Sequence, residues 1–280
     1  MKKPKWLGKM FYYIFLIAFC YIMLYPLLFM VGASFKTNEE IFGSLKLLPQ
    51  NPVFDSYQRG WRGTGQYSFA TFYINTFLLV IPTVLFTVIS SVLVGYGFAR
   101  FQFPFKKILF MLMLSTLMLP GTVIIIPRYI YFKNLGWLNS YMPFIIPAVL
   151  GAFPFFNFMV VQFFRGLPME LDESARMDGC SSFRTLVQIL LPLCKAVLFS
   201  VVVFQFVWTW NDFFNPLIYI NSVRKYPIAL GLRMTIDVAA EVNWNQILAM
   251  SCLALLPPSL LFFLAQNYFV EGISTSGIKE

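Results

Sequence analysis

The chain has 280 residues, of which 59% are hydrophobic and only 12% are charged, and its mean hydropathy is +0.71. This composition excludes an ordinary soluble domain, and a chain in a bilayer must form helices or a closed barrel. Long uniform apolar runs, rather than ten-residue alternation, favour helices. The net charge of +9 does not indicate a nucleic-acid partner, because the basic residues flank apolar segments.

Uncharged runs predict six membrane-spanning helices in a single transmembrane domain over 1–280. The first run follows several lysines, but it is too long for a typical secretory signal and is expected to remain as a span. The fifth run stops at Asp212, and we extend that helix to residue 219 because no charge follows before Arg224. The predicted spans are 11–33, 73–96, 108–128, 142–164, 196–219 and 246–269.

Prolines and small residues mark expected irregularities in these spans. Gly95, Gly97 and Ala99 are small enough to allow close helix packing. Prolines are expected to kink or break the third and fourth spans, although membrane helices also tolerate proline without a functional reason. These prolines are Pro120, Pro127, Pro143, Pro147 and Pro154.

Basic residues in short connections predict the orientation of the chain. Compact basic clusters lie before the first span, after the second and after the fourth. They are Lys2, Lys3, Lys5 and Lys9, then Arg100, Lys106 and Lys107, then Arg165, Arg176, Arg184 and Lys195. With Lys279 they place both termini and the 165–195 connection in the cytoplasm. The stretches 35–70, 129–140 and 221–244 are then expected outside.

The sequence supplies little catalytic chemistry, so we expect no enzyme activity, bound cofactor or metal in this chain. Histidine is absent, which excludes serine–histidine catalysis and histidine-ligated metals. A phosphate-binding loop of the G-x-x-x-x-G-K-[ST] kind is also missing, since Ile278 follows Gly272–Gly277 where lysine is required. No two of the cysteines form a C-x-x-C pair, and they are Cys20, Cys180, Cys194 and Cys252.

The 165–195 connection predicts two short helices. Pro168 suits a first helical position, and the acidic residues Glu170, Asp172 and Glu173 complement the positive end of a helix. Gly179 is suited to ending that helix. A second helix is expected to begin at Ser181 or Ser182 and to present one apolar face. That face consists of Phe183, Leu186, Val187 and Leu190. Without any resemblance to a known family, the connection favours an ordinary interfacial helix that covers the bundle.

The spacing within this connection resembles the EAA loop of inner-membrane permease subunits in binding-protein-dependent ABC importers. Glu173-Ser174-Ala175 is followed by three residues, Gly179, nine residues, Ile189, one residue and Leu191-Pro192. Only Ser174 departs from the family pattern, which has alanine there. The resemblance implies a six-helix bundle of the type I importer permease kind. It also implies that 168–178 docks on an ATPase, through Glu173, Ser174, Ala175, Asp178, Gly179, Ile189, Leu191 and Pro192.

Three further stretches resemble the sugar-importing branch of this family, as in maltose permease subunits of the MalG kind. They are Tyr96–Phe101, Trp210–Phe214 with Pro216, and Gln266–Gly272 continuing to Ser276–Lys279. The family usually ends in glycine, where this chain has Glu280. The resemblance implies a carbohydrate substrate, a second homologous permease, two ATP-binding subunits that hold ATP and magnesium, and an extracytoplasmic solute-binding protein. The polar 34–72 stretch is long enough to touch that binding protein.

Asp212 is the one acidic residue within a predicted span, and such a residue is a functional hypothesis by default. Trp210, Asn211 and Asp212 are therefore candidates for the translocation path, while a structural role at the outer end of the span is the alternative. Trp208, Phe213 and Tyr219 are suited to stacking on sugars or to a membrane-interface belt. A permease for glycerol phosphate or an amino acid is the alternative function. An ion-coupled carrier would need ionisable residues that the other spans lack.

Overall fold

The computed structural model describes residues 5–63, 66–238 and 242–276, and within these ranges the chain is helical without strands. Contacts divide it into two compact units, one from Met1–Ala70 and Leu232–Leu256, the other from Thr71–Gly231 and Pro257–Glu280. The helices are α1 (Lys5–Ala33), α2 (Asn38–Gly43), α3 (Ser56–Arg62), α4 (Phe69–Arg100), α5 (Lys106–Leu117), α6 (Gly121–Asn134), α7 (Met142–Val149), α8 (Pro154–Gly166), α9 (Glu170–Met177), α10 (Ser182–Thr185), α11 (Leu191–Leu193), α12 (Lys195–Trp210), α13 (Phe214–Tyr219), α14 (Ile228–Val238) and α15 (Trp244–Ser276).

Four described segments are long and apolar enough to cross a membrane. They are Gly8–Ala33, Phe69–Arg100, Met142–Gly166 and Trp244–Gln266. Two bent pairs reach the same length and hydropathy together, Lys106–Leu117 with Gly121–Asn134 at 106° and Ser182–Leu193 with Lys195–Trp210 at 80°. The described chain therefore contains four candidate spans, or six if each bent pair counts as one.

The third predicted span, 108–128, is not one helix. Helix α5 ends at Leu117, and α6 begins at Gly121 after Pro120, whose φ of −61° and ψ of 131° are extended. Proline has no N–H for the helical ladder and disfavours helical backbone in the residue before it, so the helix stops. In the fourth predicted span, α7 ends at Val149 and α8 begins at Pro154, but the two helices together still form the candidate span Met142–Gly166.

The fifth predicted span, 196–219, was wrong in its extension beyond Asp212. Helix α12 ends at Trp210, and a separate short helix, α13, follows from Phe214. The Asp212 carboxylate accepts hydrogen bonds from the Asn215 backbone N–H at 3.1 Å and from its side-chain amide at 2.9 Å. A short acidic side chain that bonds nearby backbone in this way competes with helix continuation. The helix that contains the sixth predicted span, α15, is longer than predicted and begins at Trp244.

The first unit contains a polar clamp between α2 and the start of α15. The Asn38 side chain donates to the Val242 carbonyl at 3.0 Å and accepts from the Trp244 N–H at 3.0 Å. Lys36 is fully buried nearby, donates to the Lys46 carbonyl, and lies 5.0 Å from the centre of the Phe29 ring. These contacts fix residues 36–46, which belong to the polar stretch that the sequence predicts to lie outside.

The second unit has an apolar core in which α4, α8 and α12 meet. Its buried members include Tyr96, Val160 and Val201, and Leu186 and Leu190 of the 165–195 connection join the same core. Gly95 permits the close approach of α4 and α8, because a Cβ there would lie 2.6 Å from Val160 Cγ1. Gly97 faces open space, so the expected small-residue packing holds at Gly95 but not at Gly97.

Candidate functional site

The 165–195 connection forms two short helices around a glycine turn. Helix α9 starts at Glu170 after Met169, so Pro168 precedes the helix instead of occupying its first position. The Cys180 N–H bonds the Ala175 carbonyl at 2.9 Å, and Gly179 has a φ of +74°. That left-handed conformation is inexpensive only for glycine, which explains why the turn is placed there.

The second helix is irregular because of Pro192. The Ser181 hydroxyl caps α10 by accepting from the Arg184 N–H at 3.3 Å. The chain then widens into a π turn over Leu186–Leu190, where the Leu191 N–H bonds the Leu186 carbonyl. Proline clashes with the carbonyl four residues earlier in a regular α-helix, and the wider turn moves that carbonyl away.

One side of the loop is buried and the other is exposed. Asp172 and Ala175 are only 5% and 2% exposed, while Glu173 and Ser174 face outward. The predicted apolar face divides in the same way. Leu186 and Leu190 are buried in the core, but Phe183 and Val187 are 70% and 42% exposed.

A buried ion pair joins the loop to the end of α4. Arg100 Nε lies 3.0 Å from Asp172 Oδ2, and the two side chains are only 4% and 6% exposed. Neither atom makes a well-directed hydrogen bond, so their attraction is mainly electrostatic. Arg100 also donates to the Leu167 carbonyl at 3.1 Å. From the same helix, the Tyr96 hydroxyl donates to the Ser182 carbonyl at 3.1 Å.

The predicted coupling residues therefore share one loop but differ in exposure. Glu173, Ser174, Asp178, Gly179 and Pro192 are exposed, Ile189 and Leu191 are half-buried, and Ala175 is buried. Sequence reasoning did not identify Arg100 and Asp172 as a pair. The available signal was Arg100 within the Tyr96–Phe101 motif, because this basic residue lies at the end of a span and the motif contains no acid.

A cavity of about 750 Å³ lies in the second unit, away from this loop. Two tryptophans, Trp137 and Trp208, provide aromatic surface in its wall. Its polar lining includes Arg128, Asn157, Gln205, Thr209, Asp212 and Asn215. Two of these amides are held in place, since Asn157 donates to the Gly151 carbonyl at 2.7 Å and Gln205 donates to the Thr209 hydroxyl at 2.9 Å.

Only one of the three candidate path residues lines this cavity. Asp212 does, and the charge of Arg128 acts on it. Trp210 is 3% exposed and packs on aromatic rings, with its centroid 5.1 Å from that of Phe77. Asn211 is exposed and its amide donates to the Val207 carbonyl at 2.9 Å. The structure thus gives Asp212 both a local structural role and a place in the cavity wall.

The sequence did not predict a role for several residues that line the cavity. Arg128 was counted as the end of a span, although it lies within α6. Asn157 and Gln205 are uncharged and so did not interrupt an apolar run. Their signal was a side-chain amide inside a predicted span, which requires a partner or water there. The carboxyl-terminal motif ends in residues 277–280, which lie outside the described residues.

Comparison with known proteins identifies relatives across the whole chain. Residues 91–275 match the family model described as binding-protein-dependent transport system inner membrane component. The galactooligosaccharides transport system permease protein GanQ of Bacillus subtilis (strain 168) is 28% identical over 279 residues, covering 100% of this chain and 98% of the relative. The sn-glycerol-3-phosphate transport system permease protein UgpE of Yersinia pestis bv. Antiqua (strain Antiqua) is 32% identical over 271 residues, covering 95% and 96%.

A solved structure has the same fold. The crystal structure of a bacterial ABC transporter involved in the import of the acidic polysaccharide alginate contains a chain that superposes with a TM-score of 0.85 at 19% identity. The match covers 96% of this chain and 99% of that one. The predicted all-α importer-permease architecture is therefore confirmed.

Proposed function

Because the chain belongs to the family of inner membrane components of binding-protein-dependent transport systems, we propose that it is one permease subunit of an ATP-driven importer. Its partners in this proposal are a second homologous permease, two ATP-binding subunits and an extracytoplasmic solute-binding protein. The observation that carries the proposal is the outward face of α9, held in place by the buried Arg100–Asp172 pair. A helix anchored so firmly at its inner face is suited to transmitting force applied to its outer face.

The surface available to an ATPase combines charge with exposed apolar side chains. Glu173 is exposed on α9, and Met177 and Phe183 are 83% and 70% exposed on either side of the glycine turn. Large apolar side chains rimmed by polar residues are typical of interaction sites. In our proposal Glu173 supplies the main polar contact, and the two apolar side chains fill the partner's cleft.

ATP and magnesium belong to the partner ATPase in this proposal. The support comes from the sequence, which has no histidine and no phosphate-binding lysine at the one glycine-spaced segment. The chain then acts by changing conformation, and it binds no cofactor of its own. Purified without its partners, it should not accelerate ATP hydrolysis above a detergent blank.

A carbohydrate is the solute that the cavity and the relatives support best. GanQ is named for galactooligosaccharides. In this chain, Trp208 offers an apolar ring face, while Gln205 and Asn157 offer hydrogen-bonding groups already oriented by other contacts. Pockets that combine aromatic surface with a few fixed polar groups are typical of small-ligand sites. Sugars present both apolar C–H faces and hydroxyl groups to such a wall.

Glycerol phosphate is the second candidate, and Arg128 is the specific observation that favours it. Arg128 lines the cavity, and a guanidinium is well matched to a phosphate. The nearby Asp212 opposes this interpretation, because its carboxylate would repel the same anion and attracts the guanidinium itself. We therefore place a neutral sugar first.

The coupling part of the proposal is tested by Glu173→Ala and Gly179→Asp. We expect both variants to reach the membrane, to lose most co-purifying ATPase and to stop solute uptake. Gly179→Asp places a residue with a Cβ in a left-handed backbone conformation, which is strained, and it also adds a negative charge. Glu39→Ala, which removes an exposed acid from the other unit, is the matched control and should retain the ATPase. Full uptake with Gly179→Asp would contradict the proposal.

The substrate part is tested by Trp208→Ala and Arg128→Gln in the assembled transporter. If the solute is a sugar, Trp208→Ala should reduce oligosaccharide uptake up to about tenfold, because an aromatic stacking contact contributes roughly 0.5–1.5 kcal/mol. Arg128→Gln should then have a smaller effect. Phe206→Ala removes an aromatic side chain of the same helix that does not line the cavity, and it serves as control. Competition of uptake by glycerol phosphate, abolished by Arg128→Gln, would instead support the second candidate.

A further inference from the structure

A second pocket, of about 900 Å³, lies where the start of α5 meets the end of α8. Its wall contains three cations, Lys106 and Lys107 from α5 and Arg165 from α8. We call it the basic pocket. It shares no lining residue with the 750 Å³ cavity described above, and it contains none of the predicted coupling residues.

Among the described residues, the three cations of the basic pocket have no acidic partner. Within residues 5–63, 66–238 and 242–276, no carboxylate oxygen lies within 4.0 Å of their side-chain nitrogens. Lys106 and Arg165 are close enough to repel each other. The need for basic residues near the cytoplasmic ends of spans explains their presence. It does not explain why two helices direct three of them into one pocket.

Two of the cations are held in place by neutral groups. Lys106 Nζ donates to the Phe101 carbonyl at 2.7 Å. The Arg165 guanidinium carbon lies 4.5 Å from the centre of the Phe110 ring, which is a cation–π contact. Neither contact neutralises a charge. The arrangement is thus an oriented positive site that an anion would complete.

The pocket also has an apolar wall that faces outward. Phe105, Ile108 and Met111 line it and are 71%, 50% and 60% exposed. Both helices belong to candidate membrane spans, Lys106–Leu117 and Met142–Gly166. The cations therefore lie at one end of spanning helices, with exposed apolar side chains continuing along α5. A ligand that matches both parts has an anionic headgroup and hydrocarbon chains.

We propose that the basic pocket binds an anionic phospholipid of the surrounding leaflet, with the phosphate between Lys106, Lys107 and Arg165. The acyl chains would lie along Ile108 and Met111. Basic pockets between membrane helices are known to suit acidic headgroups. Bound lipid would hold α5 against α8, directly before the loop that carries α9. The proposal does not depend on the solute or on the ATPase.

The test is a titration of the purified full-length chain with dioctanoyl phosphatidylglycerol, with bound lipid counted by native mass spectrometry. Dioctanoyl phosphatidylcholine and inorganic phosphate form two further arms. We expect phosphatidylglycerol to bind at least tenfold more tightly than phosphatidylcholine, and millimolar phosphate not to displace it. Equal binding of the two lipids would overturn the proposal. Full displacement by phosphate would show a site for the free anion and would also overturn it.

Variants test whether this pocket is the site. The triple variant Lys106→Gln, Lys107→Gln, Arg165→Gln should weaken phosphatidylglycerol binding about 100-fold, since each basic residue near an anionic headgroup contributes about a fivefold factor. The control Lys9→Gln, Arg62→Gln, Lys133→Gln removes three exposed basic residues elsewhere and should change binding less than twofold. If the triple variant does not fold, Lys107→Gln alone replaces an exposed side chain and should give a fivefold loss. Unchanged binding in the folded variants would overturn the proposal.

Discussion

The Arg100–Asp172 pair is the contact on which the position of α9 depends most directly. Both side chains are almost fully buried, and each is the other's ionic partner. Burying such a pair contributes little net stability, because desolvation opposes the attraction. Removing one member is different, since the remaining charge stays buried without compensation. The pair therefore acts as a specific link between α4 and the loop, which a nonspecific apolar contact would not provide.

Asp172→Asn should destabilise the chain by about 3–5 kcal/mol, the usual cost of an uncompensated buried charge. The measurement is thermal unfolding in detergent, together with the amount of ATPase that co-purifies. Glu170→Gln neutralises an exposed acid on the same helix and is the control. The double variant Arg100→Met, Asp172→Leu should recover much of the lost stability. If Asp172→Asn unfolds at the wild-type temperature, the pair does not hold the loop.

At the scale of helices, the close packing of α4 on α8 depends on Gly95. A Cβ at this position would lie 2.6 Å from Val160 Cγ1 and 3.3 Å from the Val160 carbonyl carbon. The backbone atom cannot rotate away, so α4 must move or the residue must remain glycine. Gly97, two residues later, has no neighbour within 4 Å of such an atom and is not restricted in this way.

Gly95→Val should therefore lower stability by about 1–3 kcal/mol, the typical cost of overpacking a core. Gly97→Val is the matched control, because it makes the same substitution in the same helix without a clash. The measurement is the midpoint temperature of thermal unfolding of each purified variant, which should be lower for Gly95→Val than for Gly97→Val. Equal midpoints for the two variants would show that α4 and α8 separate easily, contrary to the packing described here.

The helices themselves were largely predictable, but their ends were not. Apolar runs identify where a helix lies, and Pro120 indicates a break because its chemistry is local. The end of α12 depends on whether the Asp212 side chain bonds the backbone that follows it. The sequence is compatible both with such a bond, which ends the helix, and with a helix that continues past Asp212. The π turn at Leu186–Leu190 follows from the clash that Pro192 would make in a regular α-helix. The spacing of apolar residues does not predict such a turn.

At the scale of the whole molecule, the orientation in the membrane stays a prediction on which the coupling proposal depends. In a variant without the four native cysteines, Asn51→Cys should react with a membrane-impermeant thiol reagent on intact cells. Ser181→Cys should react only after the membrane is opened. Both positions are exposed, so accessibility within the protein does not distinguish them. Labelling of Ser181→Cys in intact cells would place the loop outside, where no ATPase reaches it.

The candidate sites show what a sequence can and cannot provide at this scale. The coupling loop is local, so spacing within 173–192 was enough to identify its candidate residues. The cavity combines side chains from distant segments, such as Arg128 on α6 and Trp208 on α12. Helical periodicity does not tell which faces of two separate helices meet. For that reason Asp212 was identified by its charge, whereas the uncharged Asn157 and Gln205 were not.

The contrast between α1 and the α5–α6 pair has a consequence for how the chain is made. The span Gly8–Ala33 has a mean hydropathy of 2.5, and none of the residues in its 18-residue apolar stretch is buried within the described chain. Helices α5 and α6 have 12 and 14 residues and bend by 106° between them, so each is shorter than the roughly 20 residues that cross a bilayer. We therefore expect the first span to enter the bilayer as soon as it is synthesised. We expect the α5–α6 pair to be held firmly in the membrane only after α8 is made and packs against α5.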